Sequence, residues 1–144
     1  MSLTGTDWFT IVLDMTPSTV SISQSRTFDL KTRTKEFALQ IIKLFRTLPR
    51  SEEARVIGKQ ILRSGTSVGA NYRAACRSRS KAEFISKISI VLEEADETVY
   101  WLELLSHAEI ASPLKLKELL REANELTSIF VSSLRTSKGL EDKI

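Results

Sequence analysis

The sequence predicts an all-α fold, an up-down-up-down four-helix bundle. Apolar residues recur at three- and four-residue intervals through four long segments, the spacing of one helix face. Punctuation is sparse, with five glycines and three prolines in 144 residues, so elements are long and turns few. No strand-like alternation and no repeat of 20–50 residues competes with this reading. Four helices joined by short turns pack as antiparallel neighbours.

Residues 1–25 are rich in Ser and Thr, contain Pro17 and show no sustained period. They are expected to form a flexible N-terminal extension, with residues 26–144 as the bundle domain. A short strand or a partner-binding peptide at residues 8–13 is the alternative for the extension. The first helix is expected over residues 29–48, with Leu30, Phe37, Ile41, Leu44, Phe45 and Leu48 facing inward, and Pro49 stops it. Ser51 caps the second helix, and Glu52 and Glu53 in its first turn oppose the helix dipole favourably. Val56, Ile57, Ile61, Val68, Tyr72 and Ala75 make its apolar side. The run Ser64-Gly65-Thr66-Ser67-Val68-Gly69-Ala70 is poor in helix formers and predicts a kink or local loosening.

Arg77-Ser78-Arg79-Ser80 reads as a basic turn that caps a third helix over residues 81–108. Its core stripe is Phe84, Ile88, Val91, Ala95, Val99, Leu102 and Leu105. A further strip (Ile85, Leu92, Tyr100, Trp101, Leu104) exceeds what one core needs and points to a surface covered by a neighbouring subunit. Pro113 opens the fourth helix at its first position. Leu116, Leu119, Leu120, Ala123, Leu126, Phe130 and Leu134 carry it to about residue 136, with Gly139 expected past its end.

Composition is that of a soluble globular domain, 42% hydrophobic and 27% charged. Residues 8–13 are apolar but bracketed by Asp7 and Asp14, and no basic residue precedes Arg26, so no signal peptide is expected. No stretch approaches the roughly 20 apolar residues of a membrane span. Cys76 is the one cysteine, which excludes an internal disulfide and fits a reducing cytoplasm.

Catalytic readings find little support. His107, the one histidine, has Glu103 a turn before it, but no other helix offers a matching ligand set, so no metal or cofactor is expected. Cys76 lies between Arg73 and Arg77, which could depress its pKa, yet no base is near in sequence, and packing is the plainer role. Gly65 and Gly69 lack the Gly-Lys-Ser/Thr ending of a phosphate loop and fit close helix approach better. No catalytic residue is assigned, and an enzyme is not expected.

Charge is segregated. The formal net charge is +3, but residues 26–48 carry six basic and two acidic groups and residues 50–81 eight and two. Residues 82–112 carry one basic and seven acidic groups. Glu93, Glu94, Asp96 and Glu97 are expected to pair with Arg63, Arg73 and Arg77 of the preceding helix, within or between subunits. Lys31, Arg33, Lys35, Arg73, Arg77, Arg79 and Lys81 are the candidate nucleic-acid contacts, because such groups neutralise phosphates and release counterions. The rival reading is a self-assembling scaffold whose charges serve assembly alone.

The run from Gln60 through Arg63-Ser64-Gly65-Thr66-Ser67-Val68-Gly69-Ala70-Asn71-Tyr72-Arg73 resembles the second-helix signature of the four-helix bundle proteins encoded by 23S ribosomal RNA intervening sequences. Ser80-Lys81-Ala82-Glu83-Phe84, and the run from Leu92 to Leu105, resemble that family's third helix. The resemblance implies a bacterial bundle that associates into a ring-like homopentamer. Related accessory proteins of diversity-generating retroelements are thought to bind nucleic acid and a reverse transcriptase. RNA or DNA, a reverse transcriptase or a ribosomal component are therefore the implied partners besides the chain itself. Arg63, Asn71 and Glu97 match the family's signature positions. With Tyr100, Trp101 and Leu104 they are expected in helix packing and subunit contact.

Overall fold

The computed structural model describes residues 23–141, with side chains from Asp29 to Gly139. The peptide at residues 8–13 and most of the expected extension lie outside the described residues. Four helices follow one another: α1 (Ser23–Thr47), α2 (Glu52–Cys76), α3 (Lys81–His107) and α4 (Pro113–Glu141). They form a four-helix bundle, and no strand occurs among the described residues. Connections of four or five residues force each helix to fold back along its predecessor. The pairs α1/α2, α2/α3 and α3/α4 pack closely, whereas α1 and α4 touch far less.

The turns are specified locally. Ser51 accepts a hydrogen bond from the Ala54 amide, capping α2. Ser80 accepts from the Glu83 amide, and the Glu83 carboxylate reaches back to the Arg79 amide at 2.8 Å, a variant of the reciprocal capping box. At the end of α3 the Ile110 amide donates to Leu105 O and the Glu109 amide to Ser106 O. That is the Schellman pattern, and Glu109 takes the left-handed conformation (φ 58°) usually given to glycine.

The core follows the helical stripes. Phe37, Ile41, Ile61, Val68, Tyr72, Phe84, Ile88, Val91, Leu102, Leu105, Leu116, Leu126 and Phe130 are all buried, and the Tyr72 and Phe130 rings meet at 5.7 Å. Val56 departs from expectation: it is 55% exposed, while Ala54 and Ile57 hold the inner side of that turn. The apolar strip on α3 divides. Leu92 and Trp101 pack partly against the core, while Tyr100 stays exposed, as does Ile90 outside that strip.

Helical structure runs unbroken through residues 64–70, contrary to the expected loosening. Packing and local hydrogen bonds supply what propensity lacks. Ser64, Thr66 and Ser67 each donate to a carbonyl one turn earlier, and Ser64 Oγ lies 2.9 Å from Thr98 Oγ1 of α3. Gly58, Gly65 and Gly69 face α1, where a Cβ on Gly65 would sit 2.8 Å from Ile41 Cγ1. The glycines serve close approach. Gly139 is likewise inside α4, which extends to Glu141, beyond the expected stop. A solvent-side glycine costs a helix only about 1 kcal/mol, too little to end it alone.

These two glycines predict opposite results. Gly65→Ala gains about 1 kcal/mol of helix propensity but presses on the β-branched Ile41 side chain close to its backbone, costing about 1–3 kcal/mol. A net loss is expected as a lower urea midpoint. Gly139→Ala meets nothing within 4 Å and raises that midpoint by up to about 1 kcal/mol equivalent.

Candidate nucleic-acid interface

The turn of the helices gathers cations on one side of the molecule. On α2, Arg55 and Arg73 are eighteen residues apart, as are Lys59 and Arg77, which at 3.6 residues per turn is five whole turns. All four therefore share one side of α2, close to the glycines that touch α1. On α1, Lys31 and Lys35 are one turn apart, and Arg46 lies three turns beyond Lys35. Asp29 and Glu36 are turned the other way, lining a groove of about 690 Å³ between α1 and α4.

Where α1 and α2 approach most closely, a notch of about 390 Å³ opens to solvent. Lys31, Lys35 and Arg73 stand around it, Ala38, Gly69 and Ala70 form its small-residue walls, and no carboxylate lines it. Among the described residues, Lys31, Lys35, Arg46, Arg55, Lys59, Arg73 and Arg77 take part in no ion pair. Among the described residues no carboxylate comes within ion-pair distance of these seven cations, although Glu52 lies on the same side of α2, one turn before Arg55.

The other candidate contacts fall elsewhere. Arg33 crosses to α4, its Nε 2.6 Å from Glu122 and its terminal nitrogen 2.6 Å from Glu125. Burial disfavours its charge, but the two carboxylates outweigh burial and hold its pKa above the ordinary arginine value. It clamps the thin seam between the first and last helices. Arg79, almost fully exposed in the α2–α3 turn, is 3.6 Å from Glu83, and Lys81 begins α3 at the end of the cationic face. Arg55 and Lys59 were absent from the sequence-derived set, although their five-turn spacing from Arg73 and Arg77 was there to be read.

A second cluster lies between α2 and α3. Arg63 bonds Glu94 at 3.2 Å and also Glu97, whose carboxylate accepts from Trp101 Nε1 at 3.0 Å. Hydrogen bonds from Arg63 and Trp101 hold the Glu97 carboxyl below the usual range. Of the three arginines expected to meet the acidic cluster, only Arg63 does so. Arg73 and Arg77 are carried to the α1 side by the turn of α2. Tyr100 is 54% exposed and stands edge-on to Trp101 at 5.0 Å, with Leu104 half-buried one turn on. Asn71 donates to the Ser67 carbonyl, a local contact within α2.

The catalytic alternatives gain nothing from the geometry. Burial raises the Cys76 thiol pKa, outweighing the Tyr72 hydrogen bond and the Lys31 charge that pull it down, so the thiolate is scarce. Arg73 and Arg77, both exposed, do not lower it, in keeping with the packing role expected for Cys76. His107 is exposed at the end of α3. Among the described residues no group of three or more His, Cys, Asp or Glu gathers to hold a metal ion, and no helix is long and apolar enough to cross a membrane.

Residues 26–132 match the family described as 23S rRNA-intervening sequence protein. The chain belongs to that family. The match runs from early α1 well into α4, so it contains the cationic face and the Arg63 cluster whole. A solved member of the S23 ribosomal protein family, a protein of unknown function from Bacteroides thetaiotaomicron, is 40% identical with a TM-score of 0.68. The alignment covers 72% of this chain and 96% of that one. Among curated proteins none matches the chain. Membership of the 23S rRNA-intervening sequence protein family is thus shared with a structure whose own function is unknown.

Proposed function

We propose that this chain is a non-enzymatic, homo-oligomeric bundle whose α1/α2 face holds the phosphate backbone of RNA or DNA. The observation that carries the reading is the set of seven cations on that face without ion pairs. Four carboxylates are engaged elsewhere: Glu122 and Glu125 hold Arg33, and Glu94 and Glu97 hold Arg63. Contacts of this kind read charge and spacing, so little sequence preference is expected.

A titration of structured RNA at several salt concentrations tests it. If all seven cations meet phosphates, log K falls against log salt with a slope of about −6 for a duplex. No binding at low salt, or binding indifferent to salt, overturns the reading.

Self-association is supported by a different observation. Arg63, Tyr100 and Trp101 are the residue types that dominate binding energy at protein interfaces, and they stand together around Glu97. A homopentameric ring is the assembly the family resemblance suggests. The scaffold reading keeps this surface and assigns the cationic face no ligand. It predicts an oligomer by light scattering whose mass is unchanged by added RNA.

A further inference from the structure

We infer that the notch between α1 and α2 seats the terminal phosphate of a nucleic-acid strand. The inference rests on the reading of the α1/α2 face given above. It adds that cations of this face converge at a concavity. Lys31, Lys35 and Arg73 surround about 390 Å³ with no carboxylate in the lining.

The space exists because small residues leave it. Gly69 lets α2 close onto Thr34, and Ala38 and Ala70 project too little to fill what remains. Thr34 and Thr66 already donate to the Leu30 and Leu62 carbonyls, so the three cations, with the exposed Thr32 hydroxyl beside them, carry recognition.

Charge and shape both favour a strand end. An internal phosphodiester carries one negative charge and is flanked by sugar on two sides. A terminal phosphomonoester carries about 1.5–2 negative charges near neutral pH, and one side of it is free to enter a notch. Three unneutralised cations attract the more highly charged group more strongly. Lys59 and Arg55 then continue along α2 from the notch, on the side the rest of the strand would follow.

The chemistry is common to both strand ends, so the test carries an arm for each. One short RNA is prepared with a 5′-phosphate, with a 3′-phosphate and with hydroxyls at both ends, and binding is followed by fluorescence anisotropy at low salt. One phosphorylated form should bind about tenfold more tightly than the hydroxyl form. Ala70→Leu fills the notch with a good helix former and alters no charge. In that variant, with its helicity checked by circular dichroism, the phosphorylated and hydroxyl forms should bind alike. Equal affinity for all three RNAs, or a preference that survives Ala70→Leu, overturns the inference and leaves the backbone-binding reading standing. Failure of every form to bind overturns both.

Discussion

Replacing Lys35 and Arg73 together by glutamate lowers affinity for structured RNA by about a hundredfold at low salt. Both residues stand at the notch without ion pairs, so each reversal removes one phosphate contact and installs a repulsion. Two lost contacts also flatten the dependence of log K on log salt by about 2, a signature that simple misfolding does not give. Lys35 and Arg73 are exposed, so the urea midpoint should hardly move. Arg33→Gln is the useful contrast. Its partners are Glu122 and Glu125, so it should loosen the α1–α4 seam and leave the salt slope unchanged.

Phe130→Ala is expected to cost about 3–5 kcal/mol, among the larger single losses of stability a core truncation can produce. Phe130 is fully buried on α4 and stacks obliquely on Tyr72 of α2, across the bundle. Truncation would remove that ring contact and leave a cavity among neighbours already locked by their own helices. A domain of this size has about 5–15 kcal/mol in total, so the variant should unfold at a much lower urea concentration with an unchanged m-value. Tyr100→Ala makes the control. More than half exposed, it should leave the midpoint within about 0.5 kcal/mol equivalent and act on self-association instead.

Much of the architecture was legible before any coordinates. Stripes such as Phe84, Ile88, Val91, Ala95 and Leu102 are strictly periodic, and every one of them is buried. Pro49, Ser51, Ser80 and Pro113 marked the turns because capping and proline chemistry act over a few residues. Residues 64–70 were misread because intrinsic propensity omits the neighbour: Ile41 and Thr34 of α1 require small residues opposite them, and that packing outweighs the local cost. Gly139 misled for the converse reason, since a glycine without left-handed geometry is no stop signal. The left-handed stop that does occur, Glu109 at φ 58° after α3, carries no such letter.

The candidate interface was legible in charge but not in direction. Arg33 and Lys35 are two residues apart, yet 100° per residue sends one toward α4 and the other to the notch. Which carboxylates would claim which cations depended on helix neighbours far away in sequence, as with Glu122 and Glu125. The α2 stripe was open to an eighteen-residue count, which a tally of net charge passes over.

The thin contact between α1 and α4 has a dynamic consequence. A helix gripped closely along one flank and thinly on the other, where Arg33 clamps Glu122 and Glu125, is the element best placed to loosen ahead of its three companions. Since α1 supplies two of the three cations around the notch, such an excursion would disperse the charge cluster without global denaturation. Anything that braced this helix from outside would, by the same linkage, favour the arrangement in which those charges converge.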